Sequence, residues 1–524
     1  MERAPAIELK NVTKTFGKIV ANRDICLKAN RGEILAILGE NGSGKTTLMN
    51  IISGIYFPDH GQVLIDGKEV VIRSPKDAFD HKIGMIHQHF KLVDVFNATE
   101  NIILGLNHEK FNLKDAAARV KEISTQYGFE LNPEKKIYAM SVSEKQTVEI
   151  IKVLYRGADI LILDEPTAVL TPQETQKLFA VLRRMREDGK TVIIITHKLH
   201  EVLSISDQVA VLRKGEYIGT IETAKANASI LTEMMVGKKV SLNIERTEPK
   251  DPKPRLSVQN LNAYDVLGTQ VLHDISFDAC GGEILGIAGI AGSGQRELLE
   301  AIAGLQPFAG DIIYHDPKTG DSIDLRSKTP LQIRDLGVRL SFVPEDRLGM
   351  GLVGNMDIVD NMMLRSYRKG HSAFLQRKPP RDLATTIIKD LEVVTPGPTT
   401  PVRRLSGGHV QKILVGREIA AAPTVLMAAY PVRGLDINSS YMIYHLLNQQ
   451  KEKGVAVIFV GEDLDVLIEL CDRILVIGSG RVTGIVDGRG ATKEEIGLLM
   501  TRSSAASDTS KQTNDQGTEE ESHE

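Results

Sequence analysis

An internal duplication constrains the fold of this chain more than any other feature. The stretch AILGENGSGKTTL at residues 36–48 aligns without a gap with GIAGIAGSGQREL at residues 286–298, and the GEIL that precedes each stretch aligns as well. The spacing of about 250 residues is much longer than the roughly 20–50 residues of solenoid and propeller repeats. A chain of 524 residues is also too long for one hydrophobic core. The sequence therefore predicts the same domain twice.

Composition divides the chain around these two copies. The segment IERTEPKDPKPRL at residues 244–256 has mixed charge and three prolines, which is typical of a linker. The C-terminal residues are polar and acidic, with no apolar side chain except alanine. We therefore predict domain 1 at 1–243, a linker at 244–254, domain 2 at 255–502 and a disordered acidic tail at 503–524.

Charge and cysteine content exclude several classes of protein. A formal net charge of −4 gives no basic footprint for nucleic acid. The cysteines Cys26, Cys280 and Cys471 are far apart, which argues against disulfides or a clustered metal site and predicts small core side chains. No run of about 18 apolar residues occurs, and the first residues lack the apolar core of a signal peptide. We expect a soluble, cytoplasmic protein.

Short apolar runs indicate an α/β fold in each copy. In the first copy ILAIL at 34–38, DILIL at 159–163 and TVIIIT at 191–196 are typical of buried parallel strands. Helical patterns follow the glycine-rich stretch and precede the third run. A strand, a glycine-rich loop and a helix in this order are the context that a phosphate-binding loop requires.

The first glycine-rich loop has the residues that bind a polyphosphate. It satisfies G-x-x-x-x-G-K-[ST], in which glycines let backbone N–H groups converge on phosphate oxygens. The lysine adds a positive charge, and the next hydroxyl can ligate Mg²⁺. A glycine-rich turn with a chance lysine is the alternative. The predicted binding residues are Gly39, Asn41, Gly42, Ser43, Gly44, Lys45, Thr46 and Thr47.

Two carboxylates follow an apolar strand in LILDEPT. Asp164 is a candidate Mg²⁺ ligand, and Glu165 is a candidate general base that polarises the attacking water. An Asp-Glu pair at a strand end is often only a solvated terminus. The phosphate loop upstream favours the functional interpretation.

These motifs, with HQ before Phe90 and ITHK near the third strand, resemble the nucleotide-binding domain of ABC transporters. The resemblance covers nearly the whole chain as two copies and implies ATP, Mg²⁺, a mixed sheet core and a helical subdomain in each. It implies that Gln88 senses Mg²⁺ and couples to a membrane subunit. It also implies that His197 contacts the γ-phosphate and that Phe16 stacks on adenine.

In that family two such domains pair head to tail, and each ATP lies between the phosphate loop of one and an LSGGQ-like signature of the other. The second copy has RLSGGHVQ, so the resemblance assigns Ser406, Gly407 and Gly408 to ATP binding. The first copy has MSVSEKQ at the same place. Its Ser141 and Glu144 also fit a helix capping box, S-x-x-E.

The second copy lacks the residues that carry the chemistry. Replacements stand at the lysine, the Mg²⁺-binding hydroxyl, the Asp-Glu pair, the switch histidine and the glutamine, namely Gln295, Arg296, Ala429, Tyr430, Glu462 and Glu345. The resemblance therefore implies one competent ATP site, built from the loop of domain 1 and the signature of domain 2, and one disabled site.

A fused pair with this asymmetry resembles the ATPase subunit of carbohydrate-type importers, and GMIHQHFKLVDVF resembles their nucleoside, basic-membrane-lipoprotein-associated branch. The resemblance implies two transmembrane permease subunits, an indirect solute-binding protein, and a peripheral position on the cytoplasmic face of the inner membrane. Phe90, Leu92, Val95 and Phe96 are candidate docking residues, because they are more apolar than a plain surface loop; burial in the domain is the alternative.

Three other functions stay open. A monosaccharide-specific importer ATPase differs from the nucleoside branch in few residues. A ribosome-associated ABC factor is disfavoured because Glu165 has no counterpart in the second copy and the linker is short. A nucleotide-regulated binding module that hydrolyses nothing is disfavoured by Lys45, Asp164 and His197.

Overall fold

The structure of the chain is a computed structural model. It divides into two compact units, Met1–Leu242 and Asn243–Glu524. It describes residues 5–88, 90–106, 112–168, 170–237, 244–265, 268–290, 292–342, 351–367, 375–433 and 435–502. The predicted tail at 503–524 and Glu345 lie outside these residues. The exact domain and linker boundaries stay a prediction.

The first unit contains a sheet of mixed direction with helices around it. Its strands are β1 (Pro5–Phe16), β2 (Ile19–Asn30), β3 (Ile34–Leu38), β4 (His60–Ile65), β5 (Lys68–Val70), β6 (Ile83–Ile86), β7 (Ile160–Asp164), β8 (Thr191–Thr196), β9 (Gln208–Arg213) and β10 (Glu216–Glu222). Its helices are α1 (Lys45–Ile52), α2 (Pro75–Asp80), α3 (Ala98–Ile103), α4 (Leu113–Tyr127), α5 (Val142–Tyr155), α6 (Pro172–Glu187), α7 (Leu199–Ile205) and α8 (Ala228–Val236). The strand order is β5-β4-β1-β2-β10-β9-β3-β8-β7-β6.

The predicted apolar runs form the buried centre of this sheet. Every residue of β3, β7 and β8 is buried, and β8 pairs in parallel with both β3 and β7. One face packs on the helices, through side chains such as Ile34 and Leu161. The other face packs on β1, β2 and α1, through side chains such as Ile37 and Ile162. The prediction of parallel strands buried on both faces is confirmed.

A helical layer of α3, α4 and α5 covers the edge of the sheet near β6. Its helices begin at side-chain caps: Asn97 and Glu100 form a reciprocal capping box at α3. Asn101 is buried and its side chain bonds to Val93 N–H and C=O, which fixes the loop before α3. This layer corresponds to the expected helical subdomain.

The second unit repeats the architecture. Its strands are β11 (Lys253–Tyr264), β12 (Gln270–Gly281), β13 (Ile284–Gly289), β14 (Phe308–His315), β15 (Ser322–Asp324), β16 (Val338–Phe342), β17 (Val425–Ala429), β18 (Ala456–Val460), β19 (Arg473–Gly478) and β20 (Arg481–Asp487). Its helices are α9 (Gln295–Ile302), α10 (Pro330–Asp335), α11 (Ile358–Met363), α12 (Lys378–Asp390), α13 (Gly407–Ile419), α14 (Ile437–Glu452), α15 (Leu464–Leu470) and α16 (Lys493–Thr501). The sheets are ordered β12-β11-β14-β15 and β16-β17-β18-β13-β19-β20. The α/β fold is present twice, as predicted.

The N-terminal part of the predicted linker is held on the second unit. Lys451, almost fully buried, donates to Thr247 O at 2.5 Å and pairs with Asp472 at 2.7 Å. Arg246 donates to the backbone oxygens of Ile468 and Cys471. This stretch therefore packs as part of the second unit.

Two global expectations can be compared with the structure. Within the described residues, no helix combines the length and apolar character that crossing a membrane requires. Cys471 is buried, but Cys280 is only partly buried and Cys26 is exposed. The expectation that all three are core side chains is wrong, because Cys26 lies on an exposed position of β2.

Candidate functional site

The first phosphate loop connects β3 to α1 and has a backbone that only small residues permit. Gly42 and Gly44 have φ of 80° and 96°, in the left-handed region. A Cβ on Gly39 would lie 2.4 Å from Ser43 Oγ and from Leu212 O. The loop thus leaves a concave backbone surface at the N-terminus of a helix, which suits an anion.

Lys45 begins α1 and bends back over this loop. Its Nζ donates to Gly39 O at 2.7 Å and to Glu40 O at 2.9 Å, and its side chain is 6% exposed. Burial lowers the pKa of Lys45, while Glu165 and Asp164 act in the opposite direction. A buried ammonium beside a glycine-rich loop at the N-terminus of a helix is a complement to a polyphosphate, so the residues present fit the phosphates of ATP.

Three predicted catalytic side chains meet at the end of β7. Glu165 Oε1 lies 2.8 Å from His197 Nδ1, and Gln88 Nε2 donates to Glu165 Oε2 at 3.0 Å. Glu165 has φ of 47°, and its N–H donates to Ile195 O at 2.9 Å. The strand end therefore turns sharply and directs this carboxylate to the histidine and the glutamine.

The two neighbouring carboxylates have different environments. Burial, with the charge of Glu165, raises the pKa of Asp164 to about 6. The hydrogen bond from His197 lowers the pKa of Glu165, although burial opposes it. Pairs whose pKa values are pushed apart mark acid-base roles. The lowered pKa keeps Glu165 ionised at neutral pH, so its carboxylate is available as a proton acceptor.

The candidate Mg²⁺ ligands are a hydroxyl, an amide and a carboxylate. Thr46 and Gln88 are exposed, and Asp164 is 8% exposed. Oxygen donors of these kinds suit Mg²⁺, which keeps several waters and takes few protein ligands. No group of three or more histidine, cysteine, aspartate or glutamate side chains within the described chain is arranged to hold a metal ion.

The signature residues differ between the units. In the second unit Ser406 is exposed at the N-terminus of α13, and its Oγ accepts from His409 N–H at 3.5 Å. In the first unit Ser141 and Glu144 form the complete capping box of α5, and Lys135 Nζ lies 2.7 Å from Glu144. The capping-box interpretation is confirmed. Glu144 thus holds a carboxylate at the position where the signature of the second unit has His409.

The second glycine-rich loop keeps its backbone but not its charge. Gly292 and Gly294 have φ of 86° and 103°, close to the values in the first loop. Gln295 is 4% exposed, and its Nε2 donates to Ile290 O at 3.1 Å. The amide thus makes one of the two loop contacts that the Lys45 ammonium makes. Arg296 pairs with Glu300 on the same helix at 2.7 Å.

The end of β17 reproduces the turn of the first unit without its carboxylates. Tyr430 has φ of 51° and donates its N–H to Val460 O at 2.9 Å, the same backbone contact that Glu165 makes. Ala429 precedes it as the last residue of the strand. Glu462, at the switch-histidine position, pairs with Arg433 at 3.4 Å.

Two features of the sites were missed in the sequence. Gln146 Nε2 donates to Pro166 O at 2.7 Å, and Gln411 makes the same contact to Pro431 O. Each contact ties the helix after a signature to the residue after the Asp-Glu position. A full alignment of MSVSEKQ with LSGGHVQ contains the signal. In the first strand of each copy, Tyr264, 50% exposed, ends β11 where Phe16 ends β1.

The candidate docking residues are only partly accessible. Val95 is 67% exposed, whereas Phe90, Leu92 and Phe96 are half-buried. Tyr138, 70% exposed, donates its N–H to Asp94 O at 3.2 Å and therefore lies beside Val95. Val95 and Tyr138 are thus two exposed residues whose backbones lie close together in the helical layer.

Comparison with known proteins identifies related sequences. The family described as "ABC transporter" matches residues 22–168 and 272–431. The guanosine import ATP-binding protein NupO of Bacillus subtilis is 41% identical over 94% of this chain and 97% of its own length. The nucleoside import ATP-binding protein NupA of Lactococcus lactis is 40% identical over 95% of this chain and 99% of its own. The ribose import ATP-binding protein RbsA 2 of Escherichia coli O157:H7 is 34% identical over 96% and 98%.

Proposed function

The chain belongs to the ABC transporter family of ATP-binding proteins, and we propose that it is the ATP-hydrolysing subunit of an importer for nucleosides or simple sugars. The observation that carries the proposal is the convergence of Gln88, Glu165 and His197 beside a loop that holds Lys45. The names of the related proteins support a nucleoside more strongly than a monosaccharide, because the guanosine and nucleoside importers have the higher identities.

Hydrolysis in this proposal depends on groups of the first unit. The backbone N–H groups from Gly42 to Thr46 and the Lys45 ammonium bind the phosphates. Glu165, ionised and oriented by His197, accepts a proton from the attacking water. Thr46, Gln88 and Asp164 would hold Mg²⁺, which would neutralise charge on the phosphates.

One competent site and one disabled site follow from the residues of each unit. The first unit has the complete set of phosphate and carboxylate groups, and the second has the serine-glycine-glycine signature from Ser406. Conversely, the second unit has Gln295 and Tyr430, and the first has Glu144 fixed by Lys135 at its signature. The head-to-tail pairing of the family would combine the two intact sets in one ATP site.

We also propose the position of the protein in the cell. The family relationship implies permease partners, and we assign two such subunits, with a solute-binding protein acting through them. The exposed pair Val95 and Tyr138 supports docking of the first unit on a permease. The chain would then be a peripheral protein on the cytoplasmic face of the membrane.

Reconstitution of the full chain with its permease pair in lipid vesicles tests this function. ATP hydrolysis should rise when the loaded solute-binding protein is added, and it should rise with nucleosides more than with monosaccharides. A response to monosaccharides alone would favour the sugar-specific alternative. ATP binding without phosphate release would indicate a binding module, and ribosome co-sedimentation without permease binding would indicate the translation alternative.

A further inference from the structure

We propose that Tyr56 is a positioning residue for the adenine base, because it holds the ring of Phe16 in a fixed orientation. The inference rests on the proposed stacking of Phe16 on adenine and adds a second aromatic side chain to it. Phe16 and Tyr56 have ring centroids 5.2 Å apart and planes inclined by 71°, an edge-to-face pair. Phe16 remains 43% exposed, so a surface of its ring is open to a base.

The loop that carries Tyr56 is tied to both neighbouring elements. Behind it, the N–H groups of Ile55 and Tyr56 donate to Asn50 O in α1 at 2.8 and 3.0 Å. Gly54 makes this turn possible, with φ of 75° and a Cβ position that would lie 2.3 Å from Ser74 O. The loop therefore starts as a rigid continuation of the helix that follows the phosphate loop.

Ahead of Tyr56, Asp59 fastens the same loop to the end of β1. Its N–H donates to Thr13 O at 2.8 Å, and its carboxylate accepts from Thr15 N–H at 2.7 Å. The carboxylate also pairs with Lys14 at 2.8 Å. Lys14 Nζ lies 5.6 Å from the centre of the Phe16 ring. The strand end that presents Phe16 is thus joined to the phosphate-loop helix through the Tyr56 loop.

The second unit has an aromatic residue at the Phe16 position but supports it differently. Gln306 takes the place of Tyr56, and its Nε2 donates to the backbone oxygen of Tyr264 at 2.6 Å. Ala309 takes the place of Asp59 opposite the strand. In the second unit the Gln306 amide therefore holds the backbone of Tyr264. In the first unit the Tyr56 ring holds the side chain of Phe16. The ring pair is a feature of the unit that has the hydrolytic residues.

A fixed ring binds a base better than a mobile one, because less side-chain entropy is lost on stacking. An aromatic pair of this geometry changes affinity by about two- to tenfold. The effect should appear in the KM for ATP and not in kcat, because Tyr56 lies near the base side of the site and not among the hydrolytic groups.

Steady-state hydrolysis by the assembled transporter tests the inference with matched variants. Tyr56→Leu removes the ring, Tyr56→Phe keeps it, and Phe57→Leu makes the same kind of change at the next residue, which is 52% exposed. Inorganic tripolyphosphate, which has no base, serves as a competitive inhibitor that reports on the phosphate loop alone.

We expect Tyr56→Leu to raise the KM for ATP about two- to tenfold, with kcat and the inhibition constant of tripolyphosphate unchanged. Tyr56→Phe and Phe57→Leu should behave as wild type. Equal weakening of ATP and tripolyphosphate would overturn the inference, since it would indicate distortion of the loop. An unchanged KM in Tyr56→Leu would also overturn the inference. In that case Phe16→Leu tests the stacking of Phe16 on adenine separately. A raised KM in Phe16→Leu would support that stacking, and an unchanged KM would contradict it as well.

Discussion

Replacing Glu165 by glutamine should separate ATP binding from ATP hydrolysis. In the structure one carboxylate oxygen faces His197 Nδ1 at 2.8 Å and the other accepts from Gln88 Nε2 at 3.0 Å. A glutamine has the same shape, and its oxygen can accept from the histidine. Its amide nitrogen can donate to the side-chain oxygen of Gln88 once the Gln88 amide group has flipped, because an amide presents both a donor and an acceptor. Both contacts are therefore kept.

The size of the effect follows from what the substitution removes. An amide cannot accept a proton from water, and general base catalysis contributes about 10²–10⁴-fold to rate. That range corresponds to about 2.7–5.4 kcal/mol of barrier. The two exchanged hydrogen bonds change stability by only about 1 kcal/mol. Because hydrogen bonding to His197 lowers the pKa of Glu165, the wild-type carboxylate is ionised across the neutral range, and the full loss should be seen there.

The assay is phosphate release by the assembled transporter, together with equilibrium binding of ATP to the same preparation. Glu165→Ala is the matched variant, because it removes the base and both contacts. We expect Glu165→Gln to lose hydrolysis as Glu165→Ala does, while it binds ATP as tightly as wild type. Retention of more than about a tenth of the wild-type rate in Glu165→Gln would refute the assignment of the base.

Three further predictions concern charge at other positions. Lys45→Ala should abolish hydrolysis and weaken ATP binding, whereas Gln295→Ala at the matching position should leave steady-state phosphate release within about twofold, since an amide is all it removes. Glu144→Ala should lower the free energy of unfolding in urea by roughly 1–2 kcal/mol through loss of the capping box, without a comparable loss of hydrolysis. In Mg²⁺-free buffer, the pKa of Asp164 is raised from 3.8 to about 6 on folding, so its stabilising contribution is complete below about pH 4 and is lost as the pH rises through 6. Of the total loss of about 3 kcal/mol, about 1.4 kcal/mol falls between about pH 5 and 7.5, and Asp164→Asn should remove that part, as measured by urea unfolding at these two pH values.

The strands that form the centre of each unit could be predicted because their apolar runs are continuous. TVIIIT is the strand Thr191–Thr196 at the predicted residues, and ILAIL is Ile34–Leu38. A strand covered on both faces needs apolar side chains at every position, so its limits are visible in the sequence. DILIL is displaced by one residue, because Asp164 continues the strand as Ile160–Asp164.

Contacts between distant residues could not be predicted in this way. The ring pair of Phe16 and Tyr56 depends on how the loop after α1 returns to β1, and no periodicity encodes that path. The positive φ of Glu165 is likewise set by a backbone bond to Ile195 on the neighbouring strand. The joint placement of Glu165 with His197 was implied only by resemblance to a family, since the two motifs are separated by a whole helix and strand.

The electrostatics of the first site indicate that replacing Lys45 alone would destabilise the protein. Lys45 is buried close to Asp164 and Glu165, which act to raise its pKa against the effect of burial. In turn Lys45 acts to lower the pKa of Asp164. Removing one member of a buried charged group leaves the others uncompensated, at a cost of about 3–5 kcal/mol. Loss of the lysine alone would leave two adjacent carboxylates near the protein interior.

The second unit avoids this cost because all three positions are neutral together. Gln295 keeps a hydrogen bond to the loop, Ala429 fills the last strand position, and Tyr430 keeps the turn and its backbone contact. At these three positions no ammonium needs a carboxylate, and no carboxylate pair needs a lysine or a metal ion. The second loop keeps its glycine conformations, and because it has no unpaired ammonium, it needs no bound phosphate to balance one. The loop without a lysine is thus a stable structural element. It needs no positive charge because the strand end beside it has Ala429 and Tyr430 in place of two carboxylates.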